Sequence, residues 1–512
     1  MGEILLLLVI SFVVIVLGAW KIFYLIWLEP KEMSKCLRQQ GIDGPPYRLL
    51  FGNLKEMVTL MIKARSKPME LSHHTVPRLL AFEHNAIKNY GKMFVSWIGP
   101  TARVNIMEPD MIKDILSSKF GHFTKVRRSN PLGNLLNLGL VAYDGEKWVK
   151  HRRIINPAFY PDKLKRMTPT FYACCSDLVS RWEKILSMEP CEVDVWPHLQ
   201  HLTSDIISRT AFGTTYEEGR RMFELQTEMA DLTIQLSRSV YIPGFRYLPT
   251  KRNKRMKEIY NEVRSIVRDK ITKLEKAMRV GESSSDDLLG ILIESNFKEI
   301  TDNKLGMDID DVIEECKLFY IAGQETTATL LVWTMISLSM HPEWQQKARE
   351  EVFQVFGNQK PDFDSLSRLK IVSMIFNEVL RLYPPVCLMT RFTYKPMKLG
   401  NVRLPAGIEL GLPILLVQHD HDLWGEDAEE FNPDRFSEGI VKATKGQLSY
   451  FPFSTGPRVC VGYSFALTEA KMAMAMILQN FFFELSPTYA HAPYTIITIQ
   501  PQHGAQLILR KL

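Results

Sequence analysis

The chain has 512 residues, 46% hydrophobic and 23% charged, with 28 Gly and 28 Pro, proportions that exclude a disordered, collagen-like or low-complexity protein. A net charge of +6 over this length carries no nucleic-acid-binding signature, and no nucleic acid is expected among the partners. Seven cysteines are too few for a disulfide framework and favour a reducing compartment.

In chain order, the first predicted element is a membrane span. Ile4 to Trp20 is free of charge, Lys21 interrupts the run, and Ile22 to Leu28 continues it. A helix over this stretch would be about 37 Å long, enough to cross a bilayer with tilt, with Lys21 snorkelling to the headgroups. Glu3, standing where a signal peptide would carry basic residues, argues for an uncleaved anchor over residues 1–28. Residues 29–50 read as a Pro-containing linker ending near Gly44-Pro45-Pro46. Lys31, Lys35 and Arg38 outnumber Glu29 and Glu32 there, which places the bulk of the chain in the cytosol. Residues 51–512 show no internal repeat and no long spacer, so one large domain is expected.

Within that domain, Phe94 to Ile98 reads as a strand and Asp144 to Ile155 as a helix closed by Asn156-Pro157. Val240 to Lys257 combines an aromatic, Pro-containing loop with Lys251, Arg252, Lys254, Arg255 and Lys257, which suits a second contact with lipid. Asp308 to Met340 reads as one very long helix of about 50 Å, stopped by His341-Pro342. Ser373 to Leu382 and Gly462 to Gln479 are further helices, and Tyr494 to Ile499 is a β-prone run. The expected fold class is mainly α with small β-sheets.

Four motifs carry chemistry. Phe453 to Gly462 offers Cys460 in a Gly- and Pro-shaped loop directly before a helix, where backbone N–H groups and the helix N-terminus stabilise a thiolate. Gly456 and Gly462 would let the backbone approach a flat ligand, and Arg458 offers a cation to an acidic group. Glu378 and Arg381 stand at i,i+3 on one helix face, able to pair, with Phe431 to Phe436 bringing Arg435 to the same pair. Trp148 and Arg152, at i,i+4, present an indole N–H and a guanidinium together. Inside the long helix, Ala322-Gly323-Gln324-Glu325-Thr326-Thr327 combines a helix-loosening Gly with an acid and an alcohol side by side.

The pattern Phe-x-x-Gly-x-Arg-x-Cys-x-Gly of the first motif resembles the haem-binding loop of the cytochrome P450 family, and the other three motifs stand in that family's order. The resemblance covers about residues 30–512 and implies the cytochrome P450 fold. It also implies haem b with Cys460 as the iron ligand, and Trp148, Arg152, Arg391 and Arg458 as partners of the propionates. Thr326 would bond oxygen at the haem while Glu325 helps relay protons. The implied reaction is monooxygenation at the endoplasmic reticulum membrane, with electrons from NADPH. The chain has no dinucleotide-binding fingerprint, so a separate NADPH–cytochrome P450 reductase is implied, and Lys147, Lys150, Arg153 and Arg458 are candidates for its docking face.

Within the family, Leu248 to Arg252, Asp311 to Thr327 and Glu378 to Pro385 are similar to a plant branch, family 72-like, that contains secologanin synthase and triterpenoid oxidases. A hydrophobic terpenoid substrate (triterpenoid, steroidal or iridoid) follows, with Leu136, Leu138, Phe319, Ala322, Val386 and Ile496 as candidate contacts. Thr455 and Tyr463-Ser464 depart from that branch's usual residues beside the cysteine loop. A haem-thiolate isomerase or lyase, and oxidative C–C cleavage on a similar substrate, remain as alternatives; the Glu325-Thr326 pair favours oxygen chemistry.

Overall fold

The computed structural model describes residues 2–118, 123–125, 131–136, 139–186, 189–240, 244–279, 287–301 and 306–512. Leu138 lies outside the described residues.

Helices dominate. The first runs from Gly2 to Arg38, 37 residues, and none of its segment Gly2–Phe23 is buried against the rest of the chain. A π-helical turn at Tyr24–Leu28 interrupts the α-helical ladder. Beyond it the helix meets the domain: Pro30 and Leu37 are buried, and the Gln40 side chain exchanges two hydrogen bonds with the backbone of Arg403. The following segment is held as firmly. The Val95 amide donates to the Asp43 carbonyl, and a Cβ on Gly44 would lie 1.9 Å from the Val95 carbonyl oxygen, so only glycine fits there.

The long helix spans Ile309–Met340, 32 residues, as its sequence requires. The Asp308 carboxylate caps it by accepting from the Asp311 amide, and His341-Pro342 stops it. It forms the axis of the core. Phe212 stacks on Tyr320 with ring centroids 4.0 Å apart, Tyr383 stacks on Trp333 at 4.4 Å, and the Trp333 indole donates to the Ile499 carbonyl. The helices Gly145–Ile155, Lys370–Leu382 and Tyr463–Asn480 agree with their predicted spans within a few residues at the ends.

The sheets are small and peripheral. Five strands pair in the order Met93–Ile98, Thr101–Ile106, Glu409–Leu412, Met389–Thr393, Phe123–Thr124. The β-prone run Tyr494 to Ile499 is not one strand. It splits into Pro493–Thr495 and Ile499–Pro501, paired antiparallel, because the Ile496 amide bonds the Thr498 carbonyl and turns the chain between them.

Glu378 and Arg381 are both fully buried and bonded through two parallel contacts of 2.7 and 2.8 Å. Arg381 also donates to the carbonyls of Gln418, Ala428 and Glu430, so one side chain ties the end of the helix Ile414–Gln418 and the loop around Ala428 to its own helix. Arg435 joins this pair as expected, its guanidinium 3.7 Å from the Glu378 carboxylate, and it also pairs with Asp427 at 2.8 Å.

Candidate active site

The Cys460 loop is shaped by its own backbone. The Cys460 amide donates to the Phe453 carbonyl and the Val459 amide to the Gly456 carbonyl, which curls the chain so that the thiol sits at its rim. Gly456 takes φ +67, and a Cβ there would lie 2.6 Å from the Leu116 carbonyl oxygen; its freedom is used for close packing on Leu116 rather than on a ligand. Cys460 itself is exposed at this rim. Desolvation pushes its pKa up, opposed by a backbone bond from Gly462 and by the Arg152 charge.

Arg152 reaches this loop directly, donating to the Val459 carbonyl at 2.7 Å. Four residues earlier on the same helix, the buried Trp148 ring lies 4.6 Å beneath the Arg458 guanidinium. Arg458 bonds the Asp144 carboxylate at 2.6 Å and the Tyr143 carbonyl at 2.9 Å. Arg391 enters from the strand Met389–Thr393, is almost fully buried, and donates to the Thr390 carbonyl. Together Trp148, Arg391 and Arg458 line a cavity of about 300 Å³.

A residue that the motifs do not reveal completes this cluster. Strand pairing aligns Phe123 with Thr393 and Thr124 with Phe392, and Lys125 follows directly, where the Arg391 charge acts on it. A like charge nearby disfavours the charged form. Lys125 is held down to about 7 and Arg391 to about 10, each first by burial and then by neighbouring cations. Burial likewise lowers Arg458. Among the described residues the carboxylate in contact with this cluster is Asp144, bonded by the Arg458 side chain and the Lys125 amide, so the site keeps a net positive charge toward a bound anion. The only sequence signal for Lys125 was its place in a short basic run.

On the long helix, Gly323 lets the chain approach Val195–Phe212: a Cβ would stand 2.8 Å from Ile207. The Thr203 hydroxyl donates to the Gln324 carbonyl from that same neighbour, and Thr326 bonds back to the Ala322 carbonyl at 2.7 Å. Ala322 stays accessible in the middle of an otherwise buried helix, which marks open space there. Glu325 and Thr326, adjacent in sequence, have separate partners. The Glu325 carboxylate accepts from Gln500 at 2.7 Å and from Thr498 at 3.0 Å, on the C-terminal hairpin. Burial raises its pKa, opposed by those two bonds.

Of the expected basic docking face, Lys147 and Arg153 are exposed; Lys147 also pairs with Asp311 at 2.6 Å, Lys150 donates to the Gly306 carbonyl, and Arg458 is drawn into the cavity by Asp144.

The family profile described as Cytochrome P450 matches residues 77–506. The cytochrome P450 CYP72A616 of Paris polyphylla is 56% identical over 492 residues, covering 95% of each chain. CYP72A219 of Panax ginseng is 56% identical over 507 residues, 98% of each chain, and 72A15 of Arabidopsis thaliana 52% over 495 residues, 96% of each. Matches of this extent show the family, and the chain belongs to the cytochrome P450 family as a monooxygenase similar to the plant CYP72A proteins, a family whose cofactor is a thiolate-bound haem.

Proposed function

We propose that the chain is a membrane-anchored monooxygenase that places one atom of O2 into a terpenoid, triterpenoid, steroidal or iridoid in skeleton, using NADPH electrons delivered by a separate cytochrome P450 reductase. Residues 1–28 serve as the single-pass anchor in the endoplasmic reticulum, and residues 51–512 as the cytosolic catalytic domain. The observation that carries the reading is the cluster of Lys125, Arg391 and Arg458 around Asp144, beside the Cys460 loop.

The residues fit haem b. Arg391 and Arg458 line the cavity and suit the propionate carboxylates, and Trp148 adds an indole donor. Cys460 supplies the iron ligand, and Arg152, bound to the same loop, offsets the thiolate charge. When bound, a thiolate-ligated haem activates oxygen by pushing electron density toward it. The chain does the rest. Thr326 offers a hydroxyl beside the open space at Ala322, and Glu325, whose pKa burial raises, stands as a proton carrier on the hairpin side of the same helix turn. Apolar side chains such as Phe319 and Val386 suit a hydrocarbon skeleton.

Two measurements test this. Cys460→Ser should abolish the red-shifted Soret band of the reduced carbon monoxide complex, and persistence of that band would overturn the ligand assignment. Microsomes with plant reductase and NADPH, offered iridoid glucosides, oleanane triterpenes and sterol precursors, should yield a product one oxygen heavier. A normal carbon monoxide spectrum with no product in any lane would refute the terpenoid assignment.

A further inference from the structure

Where the anchor helix leaves the span, its residues are sorted by charge. Trp27, Lys31, Ser34, Lys35 and Arg38 fall within an arc of about 100° on one face of the helix. Glu29 and Glu32 point elsewhere, and Glu32 accepts from the Tyr24 hydroxyl. Opposite the basic face stands the linker: Pro46 and Tyr47 close the far side of a cavity of about 700 Å³ lined by these residues. The walls are fixed. The Tyr47 hydroxyl donates to the Ile26 carbonyl at 2.5 Å, Gln40 clamps the helix end to Arg403, and Gly44 packs against Val95 with no room for a side chain. Lys31 lies 3.9 Å over the Trp27 ring, and Arg38 meets only Asp43, at 3.1 Å with both side chains more than half exposed. That exposed pair is weak and leaves Arg38 open to a stronger anion.

The geometry points to a binding site for the headgroup of an anionic phospholipid, formed by Lys31, Lys35 and Arg38 on the helix with Tyr47 of the linker as its back wall. The cavity opens where the hydrophobic span ends, at the depth of lipid phosphates, and Trp27 and Tyr47 are the amphipathic aromatics that favour this interface. Three cations on one face supply the attraction, since a basic residue near an anionic leaflet gains about 1 kcal/mol. Because the walls belong to the end of the anchor helix and to the linker, which Gln40 and Gly44 tie to the catalytic domain, an occupied site would fix how the domain sits on the membrane. The inference rests on the reading of residues 1–28 as an anchor.

The full-length haem-loaded protein in nanodiscs of phosphatidylcholine with increasing phosphatidylserine provides the test, read by native mass spectrometry of the retained lipid. Phosphatidylserine should be enriched over phosphatidylcholine, with enrichment falling about fivefold for each cation removed in K31Q, K35Q and R38Q. The decisive variant exchanges charges between faces, E32K with K35E, keeping the net charge while breaking the stripe. It should lose enrichment as the single removals do; native-like enrichment would show that total charge alone attracts the lipid and would overturn the site. Displacement of bound lipid by inorganic phosphate would assign the cavity to a soluble anion and overturn it equally. An unchanged carbon monoxide difference spectrum confirms that each variant is folded. Alkaline extraction separates the two readings, because release of the native protein from membranes would refute the anchor itself, whereas retention without lipid preference refutes only the site.

Discussion

Gln500→Leu probes how the C-terminal hairpin controls Glu325. Both bonds to this carboxyl, 2.7 Å from Gln500 and 3.0 Å from Thr498, come from donors and therefore favour its anion. Burial acts the other way and wins, assisted by the negative charge of Asp231, while Tyr494 is the other titratable group nearby. A hydrogen bond to a charged group contributes about 1.5–3 kcal/mol. Removing the Gln500 donor should therefore make Glu325 hold its proton about tenfold to a hundredfold more tightly. Infrared difference spectra, with the Glu325 band assigned through Glu325→Gln, should show the protonated carboxyl persisting to higher pH in Gln500→Leu. The pH profile of product formed per NADPH should move the same way. In the Glu325→Gln background, Gln500→Leu should add nothing. An equal effect in that background would mean that the hairpin acts through packing, and the electrostatic reasoning would fail.

The same carboxyl sets a stability trend. Its native pKa is raised, so the folded state binds the proton more tightly than the unfolded chain, whose carboxyl titrates near about 4.3. Stability should fall as pH climbs from there through the native value, and Glu325→Gln should remove that fall, raising the denaturation midpoint at neutral pH. Lys125 is the reverse case, lowered to about 7: the unfolded chain binds more protons up to about pH 10.4, so its penalty is greatest below pH 7 and fades as pH rises. Lys125→Gln should thus stabilise the haem-free protein most below pH 7 while weakening haem retention; a pH-independent difference would refute the cation cluster. Glu378→Gln strands the fully buried Arg381 charge and should cost about 3–5 kcal/mol in thermal denaturation, with a loss near zero refuting the role of the pair. Gly323→Val drives a side chain into Ile207 and should cost about 1–3 kcal/mol, measured by the same melt.

What was legible in the sequence lies close together along the chain. The span of the long helix follows from Asp308 as cap and His341-Pro342 as stop, and both signals act over three or four residues. The long apolar N-terminal helix follows from an apolar run broken only at Lys21, and the i,i+3 pairing of Glu378 with Arg381 from helical geometry alone. The Cys460 loop was recognisable because its turn and its thiol are one decapeptide.

Direction and desolvation, by contrast, belong to the tertiary structure. Glu325 finds its partners 173 and 175 residues away, and no local pattern foretells that it turns to the hairpin while Thr326 turns to its own helix. Lys125 becomes part of the cation cluster only because a two-residue strand pairs beside Arg391. Lys150 finds the Gly306 carbonyl, Arg458 finds Asp144, and Arg435 adds Asp427 to the expected Glu378. The physical reason is common to these cases. Helix and turn signals are energies between neighbours in sequence, whereas a charge's partner and its cost of burial depend on which distant segment packs over it. The sequence by itself determined the elements and the chemistry they carry; packing decided which charges meet.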